Sequence, residues 1–291
     1  MEQSQNITQI IIDTINTIFE NMFSSIDNTL YSLLDELTFI SSDILNDRYF
    51  QDILGTSTSS GILLVANALL FAFILYYGIK FLLSHLTYDR IDRPSSFFIK
   101  IILFGICMNS SFFIIQLFID FISNISLFIR SIGEDLFHET ICFSTLISNI
   151  NTNISIDTSS LNIFTVDGFI KGILSVSLLN LVFSYSLRYI FIKVFVLITP
   201  FAFLSLMLSN TSWFFKAWLK NLFSLLFLQI IVSIILLLMF SVDFSNTDLF
   251  NKFIYVGGMY ALVRANSLIR DFIGGVSTTI TQSVKSFKNF K

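Results

Sequence analysis

The sequence has few charged residues for its length. Only 13% of its 291 residues are Asp, Glu, Lys or Arg, whereas a soluble globular domain carries roughly 25%. Apolar residues make up 54% of the chain, and the mean hydropathy is +0.77. This composition excludes an ordinary soluble domain. It favours an all-α integral membrane protein, because a helix satisfies its own backbone hydrogen bonds inside lipid.

The residues on which enzymes and metal sites depend are also scarce. There are two histidines, His85 and His138, which we expect on opposite sides of the membrane. The two cysteines, Cys107 and Cys142, fit neither a disulfide framework nor a zinc site. The sequence contains no phosphate-binding glycine loop, no HExxH and no paired CxxC. We therefore predict no enzymatic activity, no catalytic residues, no cofactor and no metal.

Several apolar segments approach or exceed the roughly 20 residues that cross a bilayer. The predicted spans are residues 61–83, 97–121, 169–199, 220–240 and 249–263, of which the last is short. The predicted fold is therefore a polytopic helical bundle of about five transmembrane helices. Amphipathic helices precede it, since apolar residues recur at helical spacing from Ile11 to Phe23 and from Leu30 to Leu37. These helices either pack on the bundle or bind a partner or the membrane surface.

The basic residues predict the orientation of these spans. With five spans, most Lys and Arg residues fall on one side, which marks the cytoplasm and places the N-terminus outside. The predicted regions are N-terminal extracytoplasmic helices (1–57), two spans with a basic cytoplasmic connector (58–130), a polar extracytoplasmic loop (131–168), a core membrane region of three spans (169–266) and a basic cytoplasmic tail (267–291).

Inside the core region, one proline and a basic aromatic cluster interrupt the apolar sequence. Pro200 lacks a backbone donor and is expected to end or kink its helix. Tryptophan and lysine are typical of the membrane–water interface, where indoles lie at headgroup level and lysines reach phosphates. We therefore predict that the cluster contacts membrane lipid at the interface through Trp213, Lys216, Trp218 and Lys220.

Polar residues inside or near the predicted spans are the candidate functional residues. They either line a conduit or join helices by hydrogen bonds, and both interpretations stay open because charges in hydrocarbon normally face protein or water. Four of them, from Ser177 to Arg188, form one stripe on one helix face. The full set is Asn109, Gln116, Asp120, Ser177, Asn180, Ser184, Arg188, Lys193 and Gln229.

The order of motifs in the core region resembles a known family. It reads VLITPFAFLSLML, then SWFFKAWLKNLFSLLFLQ, then FIYVGGMYALVRANSLIRDFIGG. This is similar to the TrbL-type polytopic inner-membrane subunit of type IV secretion and conjugation systems, over about residues 169–275. The resemblance implies a channel or scaffold subunit in the bacterial cytoplasmic membrane. It also implies partners: secretion ATPases, stalk or extracellular components and a translocating DNA–protein substrate. We expect a homo-oligomer, because one such chain can scarcely enclose a pore for DNA.

Two other functions remain open at this point. A permease subunit or small-solute transporter would favour inverted repeats and paired broken helices, but the only broken segment in the sequence is at Pro200. A membrane scaffold without a conduit would hold other subunits through the acidic N-terminal helices.

Overall fold

A computed structural model describes residues 28–55, 61–87, 94–153, 166–242 and 249–273, together with Ile10, Thr14 and Thr17. These residues form helices and no strand, which confirms the all-α prediction. The helices are α1 (Asn28–Thr38), α2 (Arg48–Leu54), α3 (Ile62–Thr87), α4 (Pro94–Asn109), α5 (Ser111–Phe137), α6 (Phe143–Asn153), α7 (Val166–Leu204), α8 (Ser212–Phe240) and α9 (Leu249–Ile273).

Four of the helices are long and apolar enough to cross a membrane, namely α3, α5, α7 and α8. The protein is therefore a polytopic membrane helical bundle. The fifth predicted span lies in α9, a 25-residue helix that extends ten residues beyond the predicted end. Its length reaches about 37 Å at 1.5 Å per residue. Four charged residues reduce its apolar character (Lys252, Arg264, Arg270 and Asp271), so its crossing stays a prediction.

The second predicted span is not one helix, and that prediction is wrong. The chain leaves helical geometry at Ser110, which separates α4 from α5. The cause lies in the polar run at this point, because the Asn109 side chain donates to the carbonyl of Gly105 and also exchanges hydrogen bonds of 3.1 and 3.3 Å with the amide of Asn67. Asn109 therefore joins α4 to α3 in an antiparallel hairpin.

Part of the predicted polar loop is helical. Residues 131–137 continue α5, and α6 follows after a turn at His138. The apolar side of α6 is buried, through Phe143, Leu146, Ile147 and Ile150. The helical spacing of these apolar residues indicates a helix. The serine, threonine and asparagine residues between them led to the prediction of a loop.

The centre of the bundle is α8, which packs against α5, α7 and α9. α5 and α8 run in parallel, since the rings of Phe118 and Phe223 lie 5.9 Å apart and the hydroxyls of Ser126 and Ser233 lie 2.6 Å apart. α3 lies at the periphery, with only 6% of its most apolar stretch buried.

The N-terminal segment, which we define as residues 28–55, is built into this bundle. Its start contacts α6, and its later residues pack among α5, α7 and α8 through buried side chains at Leu34, Ile40, Leu45 and Phe50. Of the two interpretations of the N-terminal helices, the structure favours packing on the bundle for this part of the chain. Residues 11–13, 15, 16 and 18–27, which carry the first half of the amphipathic pattern, lie outside the described residues.

The first span, α3, runs in the opposite direction to the one predicted from the sequence. The bond between Asn67 and Asn109 places the start of α3 beside the start of α5. Because α5 is parallel to α8, this is the end of the bundle where α8 begins and α7 finishes. The prediction put residue 61 on the opposite side from that end. It is wrong because the predicted second span is two helices, so α4 returns antiparallel to α3 and adds a pass between α3 and α5.

Substitutions at two adjacent glycines in α9 test how this helix packs against α8. A Cβ atom on Gly258 would lie 2.7 Å from the sulfur of Met239 in α8, whereas a Cβ on Gly257 would meet nothing within 4 Å. We expect Gly258→Val to lower the free energy of unfolding by about 1–3 kcal/mol through overpacking. Gly257→Val is the matched control and should change it by less. Thermal unfolding in detergent measures both, and equal effects would contradict the described contact between α8 and α9.

Candidate functional site

A buried arginine lies at the middle of the bundle. Arg188 is 22 residues from the start of α7 and 16 from its end, and its side chain is 0% exposed. Nε donates to the carbonyl of Leu225 in α8 at 2.7 Å, and Nη1 donates to the carbonyl of Thr38 at 2.8 Å. Thr38 is the last residue of α1, so the guanidinium bonds a terminal carbonyl that has no partner within its helix.

A glutamine completes the contact between the N-terminal segment and α8. The N–H of Ile40 donates to Oε1 of Gln229 at 3.1 Å. Gln229 is 0% exposed and lies one helical turn after Leu225. Its own carbonyl accepts from Ser233, whose hydroxyl also contacts Ser126 in α5. We call Arg188, Gln229 and the backbone from Thr38 to Ile40 the polar joint.

The polar joint supplies hydrogen bonds to irregular backbone inside the membrane bundle. Between α1 and the 3₁₀ turn at Ser42–Leu45 the chain leaves regular helical geometry, after a last helical bond from the N–H of Phe39 to the carbonyl of Asp35. Irregular backbone at this depth is tolerated only where protein or enclosed water satisfies its polar groups. Arg188 bonds the carbonyl of Thr38 and Gln229 bonds the N–H of Ile40, so the irregular backbone is held by side chains from two spanning helices.

Two N–H donors of the polar joint make no hydrogen bond within the described part of the chain. Among the described residues, Nη2 of Arg188 and Nε2 of Gln229 have no hydrogen-bond partner. An arginine stays charged in proteins, and a charge inside a membrane protein normally has a partner. The contacts of Arg188 described here are to backbone carbonyls, which carry only partial charge. The polar joint thus holds its backbone partners with neutral acceptors and keeps one N–H group of each side chain unpaired among the described residues.

A second contact fixes the N-terminal segment nearer to the start of α3. Nζ of Lys193 lies 3.7 Å from Oδ2 of Asp47, and it also lies 5.1 Å from the ring centre of Tyr189. Asp47 accepts from the N–H of Tyr49 and so caps α2. Because Asp47 is largely exposed, this ion pair is expected to contribute less than the enclosed bonds of Arg188.

A third contact holds the beginning of the segment. The carboxylate of Asp35 accepts from the backbone N–H groups of Phe143 at 2.7 Å and Ser144 at 3.1 Å, at the start of α6. Asp35 is half-buried, so its carboxylate is held by two N–H groups at a helix N-terminus in a partly enclosed environment.

The other predicted residues of the polar stripe lie nearby without joining the polar joint. Ser184 is buried and donates to Oδ1 of Asn180 at 3.4 Å, one turn away on α7, and Ser177 is half-buried. Gln116 and Asp120 are half-buried on α5, and Asn109 lies in the α3–α4 hairpin. Of the nine predicted conduit or interface residues, the structure brings Arg188 and Gln229 together around the N-terminal segment.

The predicted lipid anchors divide into two groups. Trp213 is 65% exposed, and Lys216 and Lys220 are exposed on the same turns of α8. Trp218 instead is 3% exposed, so the anchor prediction is wrong for this residue. Its indole N–H donates at 2.9 Å to the carbonyl of Phe195, which also accepts from Thr199.

This packing surrounds the predicted helix break. Pro200 is buried inside α7, and the helix continues for four more residues to Leu204 before two 3₁₀ turns lead to α8. Trp218 and Thr199 thus donate to the carbonyl of Phe195, the neighbour of Val196, whose own carbonyl loses its helical donor because Pro200 has no N–H.

Some functional residues could not be found by sequence reasoning. Thr38 and Ile40 act through backbone groups, which every residue has, so their types carry no signal. Asp35 was one acidic residue among several in the N-terminal region. In comparisons with family models, with curated proteins and with solved structures, nothing matches this chain.

The polar joint leads to a direct test of what Arg188 does. Arg188→Met keeps an unbranched side chain and removes both donors, so the carbonyl of Thr38 loses its partner. We expect a reporter cysteine at Thr38, which is 0% exposed, to react with a small thiol reagent about tenfold faster or more, since a hydrogen bond to a charged group contributes about 1.5–3 kcal/mol.

Two controls accompany this measurement, made in a background with Cys107 and Cys142 replaced by serine. Lys193→Met removes a partly exposed cation close by and should change the rate much less. A reporter at Ser126, buried between α5 and α8, should not respond to Arg188→Met. Equal acceleration at Ser126 and Thr38 would show general loosening of the bundle and would contradict a local role for Arg188.

Proposed function

We propose that this chain is a non-enzymatic, multi-pass subunit of a type IV secretion machine that carries out conjugative DNA transfer. The proposal places it in the bacterial cytoplasmic membrane. The observation that carries it is the family resemblance of residues 169–275, which cover nearly all of α7 and the whole of α8 and α9. These three helices pack on one another, so the segment with the family's motif order is also a structural unit.

Within that machine we assign the chain a scaffolding role first and a conduit role second. Arg188 and Gln229, two of the residues predicted to line a conduit or to join helices, are enclosed and bonded to the N-terminal segment. In this conformation the side chains of Arg188 and Gln229 hold the N-terminal segment in the bundle. A conduit would then form between several copies, together with the secretion ATPases and the stalk or extracellular components proposed as partners.

The experiment that tests the proposal is formaldehyde crosslinking in mating cells, followed by immunoprecipitation of this protein and detection of the transferred strand. Recovery of strand DNA, lost when the coupling ATPase is inactivated, would place the chain on the translocation path. Intact mating without crosslinked DNA would support a scaffold. If deletion of the gene left mating unaffected, the secretion proposal would be wrong.

A small-solute transporter is the second candidate, and one observation favours it. Ser110 separates α4 from α5, and two 3₁₀ turns after Leu204 separate α7 from α8, so each half of the chain has an interrupted helical segment, and paired broken helices are typical of transporters. Met108 and Leu204, next to the two breaks, belong to the same apolar cluster. A deletion that leaves mating intact and abolishes uptake of a solute would favour this candidate.

A further inference from the structure

The N-terminal segment lies in a trough of the bundle. α8 packs against both α5 and α7, so α8 forms the floor of the trough and the other two helices form its walls. Buried side chains of the segment, among them Ile40, Leu45 and Phe50, belong to one apolar cluster with side chains of all three helices. The segment therefore fills the space between the two walls.

One wall of this trough carries a polar stripe. Gln116, Ser123 and Arg130 follow one another at spacings of seven residues, which places them on one face of α5. The guanidinium of Arg130 lies 3.9 Å from the centre of the Phe39 ring, so this face of α5 is turned towards the N-terminal segment. The stripe extends about 21 Å along the helix, which is most of a hydrocarbon layer of about 30 Å.

The polar joint lies opposite this stripe. Its two side chains project from α7 and α8 to the backbone of the segment. Gln229 lies in α8 between the levels at which that helix meets Phe118 and Ser126 of α5, and Ser123 of the stripe lies between the same two levels. Polar side chains from three helices thus surround the segment at the middle of the membrane.

This polar lining exceeds what the segment uses. The described hydrogen bonds of Arg188 go to neutral carbonyls, although a charge inside a membrane bundle is costly. Nη2 of Arg188 and Nε2 of Gln229 belong to side chains that are 0% exposed, and neither has a partner among the described residues. A joint that only held the segment would be more stable with neutral side chains and no unpaired donor. The arginine is explained if water reaches the trough in a second state of the protein.

The segment depends on the trough for its own conformation. Its two helices have 11 and 7 residues, whereas isolated helices shorter than roughly 12–15 residues are marginal in water. Apolar packing and a few polar contacts must therefore offset the conformational entropy that the segment loses when it is held. A change in those few contacts is enough to shift the balance between a held and a released segment.

We propose that the N-terminal segment is a removable plug and that its withdrawal opens a water-filled passage for small ions between α5, α7 and α8. In the described conformation the segment fills this passage. When the segment withdraws, Arg188 and Gln229 exchange its backbone groups for water, which also reaches their two unpaired donors. A passage bordered by three helices of one copy suits water and small ions and not DNA.

This inference goes beyond the proposed function. It depends on the bundle lying in a membrane and not on the machine to which the chain belongs. It remains testable if the secretion proposal fails.

The test measures the ionic conductance of the purified full-length protein in planar lipid bilayers with KCl on both sides. Gln229→Leu removes the acceptor for the N–H of Ile40, and Arg188→Met removes the donor for the carbonyl of Thr38. Ser233→Ala is the matched control, since this buried hydroxyl of α8 bonds α5 and the backbone of α8 instead of the segment.

A reversible crosslink tests whether the segment itself moves. Asp35→Cys and Ser144→Cys are combined with Gln229→Leu in a background with Cys107→Ser and Cys142→Ser. They place two thiols where the carboxylate of Asp35 lies 3.1 Å from the backbone nitrogen of Ser144. The disulfide ties the beginning of the segment to α6, while the other end of the segment continues into the chain that leads to α3.

We expect Gln229→Leu and Arg188→Met each to raise the conductance about tenfold or more, because each leaves a buried backbone group of the held segment unpaired. Ser233→Ala should leave it unchanged. Oxidation of the cysteine pair should remove the increase, and reduction should restore it. Conductance of both joint variants equal to that of the unsubstituted protein would overturn the passage. An increase that persists after oxidation would overturn the role of the segment as its plug.

Discussion

The structure depends on one requirement, which is that irregular backbone deep in a membrane bundle must find hydrogen-bond partners. The N-terminal segment breaks its helix at Thr38, level with the middle of α7 and α8. Arg188 supplies the donor for the carbonyl of Thr38 and Gln229 supplies the acceptor for the N–H of Ile40. With those bonds in place the chain can turn, continue through the bundle and begin α3 at the opposite end.

Several other features follow from this arrangement. The segment ends beside the start of α3, and α4 returns antiparallel to α3, so α3, α5 and α8 all begin at the same end of the bundle. The 39-residue helix α7 contributes both Arg188 and Lys193 to contacts with the segment. The side of the segment opposite to the joint carries charged residues that are exposed in the described part of the chain, such as Glu36 and Asp43. One buried contact therefore relates the packing of α7 and α8 to the route of the N-terminal segment.

Sequence reasoning could predict the class of fold and part of the site. Composition and apolar length predicted a helical membrane bundle, and Arg188 and Gln229 stood out because such residues are rare in apolar segments. It could not predict that their partners are backbone groups 150 and 189 residues away in the chain, because a carbonyl or an N–H belongs to every residue. Trp218 shows the converse, since a residue typical of the interface is buried beside Pro200.

The most direct test of this account is hydrogen–deuterium exchange of residues 34–45 with the protein in lipid nanodiscs. Exchange reports the opening of backbone hydrogen bonds, and mobile solvent-facing loops exchange with almost no protection. If the N-terminal segment is built into the bundle, the amide of Ile40 should exchange as slowly as those in the middle of α8. Complete exchange of this stretch at the earliest time point, with α8 still protected, would contradict the account.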